Sequence, residues 1–216
     1  MEKIILLGMG GHAYSVLDSI EGMGRYHIVG FLDNEKKIGE TYKEYSVIGT
    51  DSMLDELYGK GIRYAFVTVG YMGEKTVRRE LYKKLKQKGF ELPVIIDKSA
   101  VLAKNIKIGE GVYIGKKTVV NSAAKIGDLC ILNTGSIIEH GSVIGSNSHI
   151  AVGGVLCGNV TVGEDTLIGA GATVIQEIKI GNQVIVGAGT VVTKNIDDNS
   201  KVIGGITKTR QREFCR

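Results

Sequence analysis

The chain has 216 residues, 43% hydrophobic and 6% aromatic, with 27 Lys and Arg against 23 Asp and Glu. That length suits one large core or two small ones, and the mild net charge of +4, without a basic-aromatic patch, argues against nucleic-acid binding. No run approaches the roughly 18 apolar residues of a membrane span, and no cleavable signal pattern precedes the first strand, so a cytoplasmic protein is expected.

Lys3-Ile4-Ile5-Leu6-Leu7 predicts a buried strand that runs into Gly8-Met9-Gly10-Gly11-His12 and an amphipathic helix over 13–23, with Val16, Leu17 and Ile20 on its apolar side. In such a turn, backbone N–H groups and the positive end of the helix can face a phosphate. A tight βα turn with no ligand has the same sequence pattern. Ile28-Val29-Gly30-Phe31-Leu32 predicts a second strand ending in Asp33 and Asn34, where an acid about 22 positions after Gly11 can accept from a ribose or a base. A short strand and helix follow over 46–57, then a strand from Tyr64 to Val69 that closes on Gly70. Over 73–89 a helix carries Val77, Leu81, Tyr82 and Leu85 on one face, and its lysines and arginines are expected on a solvated surface. Residues 1–92 thus read as a compact βαβαβ domain, and the only proline, Pro93, stands at its exit.

From Leu102 to Val192 every sixth residue is aliphatic, fifteen steps in register without a polar interruption. Glycine follows at Gly109, Gly115, Gly127, Gly145, Gly163, Gly169, Gly181 and Gly187, and the position two before the aliphatic residue is small or β-branched, as in Thr118, Ala124, Ser136 and Ser142. A period of six fits neither a strand's alternation nor a helix, so the unit is a short strand plus a turn. Three units closing a triangular coil would stack the aliphatic residues into one column, about five coils high, with coils about 4.8 Å apart. Glycine is expected at the corners, where positive φ or close backbone approach excludes side chains. We expect this all-β domain over 93–200 and a tail over 201–216. Cys130, Cys157 and Cys215 are odd in number without CxxC spacing, which reads as reduced thiols.

The [LIV]-G-x-x-x-x repeat resembles the hexapeptide-repeat acyltransferases, and that resemblance implies a left-handed parallel β-helix and a homotrimer. The hand follows from the family alone, since the general crossover preference is right-handed. With Gly10-Gly11-His12, Phe31-Leu32-Asp33-Asn34 and Val69-Gly70 ahead of the repeats, the chain looks like the sugar O-/N-acetyltransferases, in which an α/β Rossmann-like domain binds a nucleotide sugar and the β-helix binds acetyl-CoA. Members modify sialic acids or UDP-linked 4-amino sugars of the bacillosamine type.

The segment Asn133-Thr134-Gly135-Ser136-Ile137-Ile138-Glu139-His140 resembles the family's catalytic stretch, which implies His140 as general base. An attacking amine or hydroxyl must lose a proton, and imidazole titrates near neutral pH. Family members commonly place a carboxylate directly after this histidine; here that position is Gly141, leaving Glu139 as the substitute. The resemblance also implies that Asn133 lies near the reacting amine, that His149, Ala170 and Ala188 contact acetyl-CoA, and that Gly10, Gly11, His12, Asp33, Asn34 and Gly70 bind the nucleotide sugar. The closing run Lys201-Val202-Ile203-Gly204-Gly205-Ile206-Thr207-Lys208 has Ile206 where a proline is usual. The expected function is acetyl-CoA-dependent N-acetylation of a UDP-type 4-amino sugar, with no metal required and with active sites at subunit interfaces shared by His140 and His149. O-acetylation of a sialic-acid-like sugar is the nearest alternative. A zinc enzyme would need three converging histidines, and the repeats hold two, nine residues or half a coil apart. A non-catalytic scaffold would present a repetitive outward face.

Overall fold

The computed structural model describes residues 1–73 and 77–204. Its first part is an α/β domain of β1 (Glu2–Leu7), α1 (Gly11–Met23), β2 (Tyr26–Leu32), β3 (Thr41–Tyr42), β4 (Tyr45–Gly49), α2 (Leu54–Gly59), β5 (Tyr64–Val67) and α3 (Val77–Gln87). The sheet order is β3-β4-β2-β1-β5, parallel except for the β3–β4 pair. β1 sits inside the sheet with Ile4, Ile5, Leu6 and Leu7 all buried, which is why it reads as a continuous apolar run rather than an alternating one. Strand gives way to loop at Gly8, whose φ is +103° and whose Cβ, if present, would stand 2.5 Å from Val69 Cγ2.

The second part holds eighteen two-residue strands, from Ile95–Ile96 to Lys201–Val202, in three parallel sheets. Partners lie eighteen residues apart, as in Ile131 with His149 and Ile137 with Val155, so each coil is three hexapeptides. The aliphatic register points inward and is almost wholly buried, from Ile114 and Leu132 through Ile168 to Val186. The small residues two positions earlier also face in, and two of their hydroxyls satisfy carbonyls of the next coil: Ser142 Oγ donates to Cys157 O at 3.2 Å and Ser148 Oγ to Gly163 O at 2.7 Å.

The corners separate two roles that the repeat pattern merged. Every sixth residue from Gly111 to Gly189 has left-handed φ, including Lys117, Leu129, Asn147, Asn159, Asp165 and Glu177, although the left-handed region costs an L-residue on the order of 1–2 kcal/mol. The glycine directly after each aliphatic residue has no such φ and answers instead to crowding: a Cβ on Gly145 would stand 2.6 Å from Glu164 N, and one on Gly163 2.5 Å from Gly181 C.

Three outward columns define the faces. On the first, Ile95, Tyr113, Ile131, His149, Leu167 and Ile185 lie under the α/β domain, and five of these join Met9, Ala13, Val16 and Phe66 in one apolar cluster. On the second, Val101, Val119, Ile137, Val155, Thr173 and Val191 are uncovered, with Val101 and Val191 each 63% exposed. On the third stand Lys107, Lys125, Val143, Thr161 and Lys179. Among the described residues no helix is long and apolar enough to cross a membrane.

The lysines and arginines of α3 do not all lie on a solvated surface, as the charge pattern suggested: Arg78 is 2% exposed. Its Nε donates to Asn147 Oδ1 at 3.1 Å, Nη1 to the Val67 carbonyl at 3.2 Å and to the Val69 carbonyl, and Nη2 to Leu129 O at 2.7 Å. It joins the end of β5 to two β-helix corners.

Candidate active site

In the α/β domain the glycine loop is held from behind. Asp33 accepts the Met9 N–H at 2.7 Å on Oδ2 and the Asn34 N–H at 2.7 Å on Oδ1, with Asn34 Nδ2 at 3.1 Å and Lys37 Nζ at 3.0 Å. Burial alone would raise its pKa, but these donors outweigh it and hold the carboxyl below the usual range. The carboxylate expected to receive a ribose is therefore saturated by its own chain, with two donors on each oxygen. Beside it lies a cavity of about 500 Å³ lined by Gly8, Asp33, Asn34, Thr50, Val69 and Leu81, among others. Gly10 and Gly11 lie at the N-terminus of α1, where no side chain caps the helix. A Cβ at either would meet nothing within 4 Å, so packing inside the chain does not demand glycine there.

The junction with the β-helix gathers four of the expected residues. His149 is 7% exposed; its Nδ1 lies 2.6 Å from the Tyr71 carbonyl and its Nε2 3.2 Å from Asn133 Nδ2. A carbonyl can only accept, so Nδ1 carries the hydrogen and Nε2 accepts from the Asn133 amide. Asn133 Oδ1 in turn accepts the Thr134 N–H at 2.8 Å. His12 stands edge-on to Tyr113, with ring centroids 5.2 Å apart, and packs on the Gly70 side of the loop. Among the described residues its Nε2 is buried without a partner. Burial first, then the nearby Arg78 charge, pulls the His12 pKa down to about 3, and burial lowers His149 as well. Both rings are neutral at physiological pH.

The His149 ring, expected to contact acetyl-CoA, is held on the first face by Tyr71 and Asn133. Both ring nitrogens are engaged and the ring faces the α/β domain, because that domain covers the first face. Ala170 and Ala188 are exposed, one coil apart on the corner column that begins at Thr134, two coils from Asn133. They form a shallow small-residue strip.

His140 lies apart from this group, on the corner at the opposite edge of the Ile137–Ile138 rung, and is exposed. Glu139 does not reach its ring: the carboxylate accepts from Asn121 Nδ2 at 3.0 Å and from the His140 backbone N–H at 3.2 Å. The lack of an acid after the histidine has a local reason, since Gly141 has φ +68° and its Cβ direction is filled by Asn159 Oδ1. Among the described residues no three His, Cys, Asp or Glu side chains form a group that could hold a metal ion. Cys130 and Cys157 are free thiols, and burial pushes Cys130 up to about 12. Cys215 and the closing residues Gly205, Ile206, Thr207 and Lys208 lie outside the described residues.

An α/β domain with a nucleotide-sized cavity, docked on coils that bear an exposed histidine and a small-residue strip, defines an acyltransferase of the hexapeptide class. Residues 3–85 match the PglD N-terminal domain, 105–139 the hexapeptide repeat of succinyl-transferase and 159–194 the bacterial transferase hexapeptide. GDP-perosamine N-acetyltransferase from Caulobacter crescentus, solved with CoA and GDP-perosamine, is 32% identical, with 94% of each chain covered and a TM-score of 0.87. The acetyltransferase domain of PglB from Neisseria gonorrhoeae is 31% identical over 94% of this chain and 97% of that one, also with a TM-score of 0.87. WeeI from Acinetobacter baumannii, 21% identical over 94% and 97% with a TM-score of 0.72, shares the fold. No curated protein sequence matches the chain. The chain belongs to the sugar O-/N-acetyltransferase family of hexapeptide-repeat enzymes, and its coil is a left-handed parallel β-helix.

Proposed function

We propose that the protein transfers the acetyl group of acetyl-CoA to the amine of a nucleotide-linked 4-amino sugar in the cytoplasm. The observation that carries this reading is likeness across both domains, over 94% of the chain, to an enzyme that binds CoA and GDP-perosamine. The nucleotide sits in the cavity beside Asp33 and Asn34, with its phosphates toward the free helix end at Gly10 and Gly11. Asp33 acts there by holding the Met9 loop. His140 takes a proton from the amine as nitrogen attacks the thioester carbonyl; the C–N bond forms, the C–S bond breaks, and the proton passes to the departing thiolate of CoA.

Within one chain His140 and Asn133 stand on opposite edges of the second face. A homotrimer resolves this. That face is an uncovered apolar column from Val101 to Val191, the kind of patch that marks an interface. In a three-fold ring each contact is heterologous, so the Asn133 edge of one subunit meets the His140 edge of the next. Pantetheine then runs along Ala170 and Ala188, and His149 acts through Asn133 from beneath.

The test is thiol release from acetyl-CoA over UDP-, dTDP- and GDP-linked 4-amino sugars, CMP-sialic acid and free sialic acid. An amino sugar should be turned over, and His140→Ala should lower that turnover by at least about 10²-fold. Turnover with sialic acid alone, or a fully active His140→Ala enzyme, would overturn the assignment.

A further inference from the structure

Among the described residues no carboxylate orients the imidazole of His140, yet its place is defined by the coil above. A Cβ built on Gly158 would stand 2.6 Å from His140 Cε1, 2.7 Å from Nε2 and 3.3 Å from Nδ1, so the ring lies flat on the Gly158 backbone. Coil repeats do not demand glycine there: Gly158 has no left-handed φ, and the equivalent positions are His140 and Gln176 one coil away on either side and Ser122 two coils away. The next residue completes the arrangement. The Asn159 N–H donates to the His140 carbonyl at 2.8 Å, and Asn159 Oδ1 fills the space into which a side chain at 141 would project. Asn159 has φ +58°, a conformation that asparagine tolerates better than most residues.

We propose that Gly158 and Asn159 position the imidazole of His140, taking over from the next coil the orienting role that a carboxylate at 141 would play. This rests on His140 as the base. Gly158 supplies the gap into which the ring fits, and Asn159 fixes the turn that aims it. Neither residue needs to touch substrate, so both are positioning residues.

Alanine at 158 is compatible with the backbone and can be accommodated only by rotating the His140 ring away. Misplacement of a reacting group by about 1 Å costs on the order of 10²-fold in rate. Gly158→Ala should therefore lower kcat about 10- to 100-fold while KM for acetyl-CoA and for the sugar stays within about 2-fold. Because Gly158 acts through His140, the substitution should cost nothing further in a His140→Ala background. A Gly158→Ala enzyme with wild-type kcat, or an additive loss in the double variant, overturns the inference. Should Gly158→Ala fail to fold, Asn159→Gly keeps the left-handed turn and removes the amide; an unchanged kcat in that variant also overturns it. A fully active His140→Ala enzyme would instead remove the base assignment itself, so the two failures are distinct.

Discussion

Replacing Arg78 by methionine should loosen the two domains without touching substrate. Among the described residues the guanidinium makes four hydrogen bonds to neutral acceptors and no ion pair. Bonds to a charged donor contribute about 1.5–3 kcal/mol each, or about 6 kcal/mol at the lower bound for four. Against this stands the cost of burying the charge. Burial draws the Arg78 pKa from 12.5 to about 10, which corresponds to about 3 kcal/mol. Methionine keeps most of the apolar stem, recovers the desolvation cost and takes the Arg78 donors away from three carbonyls and from Asn147 Oδ1. The net loss is about 3 kcal/mol, or a fall in Tm of about 6–12 °C for a chain of this size. Thermal unfolding followed by circular dichroism reads it directly. KM for the nucleotide sugar should rise as well, since Val69 lines the cavity and its carbonyl is one of the four acceptors. A Tm within about 2 °C of wild type would show that the guanidinium does not hold the domains together, and the reasoning would fail.

Other expectations test separate parts of the structure. Gly10→Ala should fold with an unchanged Tm and raise KM for the nucleotide sugar, whereas Gly8→Ala, at φ +103° and against Val69, should cost about 1–3 kcal/mol; equal effects of the two on Tm would contradict the division of labour in the loop. The pH dependence has a definite sign. His12 refuses a proton until about pH 3, and His149 is shifted the same way, while unfolded histidines bind one near 6.5, so stability falls as pH drops below about 6.5. Urea titrations at pH 7.5 and 5.5 should show this loss, and His12→Asn should shrink it; an unchanged difference in the variant would refute the assignment. Val155→Glu, placing a charge in the uncovered column, should convert trimers to inactive monomers by light scattering, and a trimer that keeps its mass would exclude the second face as the interface.

The repeat was legible because one backbone conformation recurs. Each coil needs the same inward aliphatic residue, so the sequence carries a strict period, and the parallel β-helix follows from it. Half of the corner logic was hidden. The left-handed positions are occupied by Lys117, Leu129 or Glu177 as readily as by glycine, because cooperative pairing on both sides of each coil holds φ against its local preference. The crowded glycines were visible, but their cause lies in the neighbouring coil.

The candidate site divides the same way. His140 and Asn133 stand out in sequence as polar residues in a repetitive frame: Asn133 holds a corner position that other coils give to Gly115, Ala151, Gly169 and Gly187. His149 could have been read differently by the same method, since its outward column is otherwise apolar, and a polar residue there implies a partner from whatever covers it. Arg78, by contrast, gave no signal among the charges of α3. Its burial depends on α3 lying across the corners at Leu129 and Asn147, residues more than 50 positions away. Asp33 reads as a ligand-binding acid from its spacing, but the fold turns Met9, Asn34 and Lys37 onto it.

The sequence by itself determined the coil, its inward register and the α/β domain ahead of it, because these depend on periodicity and residue chemistry. Only the tertiary structure decided that Asn133 and His140 fall on opposite edges of one uncovered face, that the α/β domain seals His149, and that Gly158 makes room for the His140 ring. The uncovered face, the sealing of His149 and the fit of Gly158 to His140 all depend on the stacking of coils and the docking of domains, and such contacts leave no local pattern in the chain.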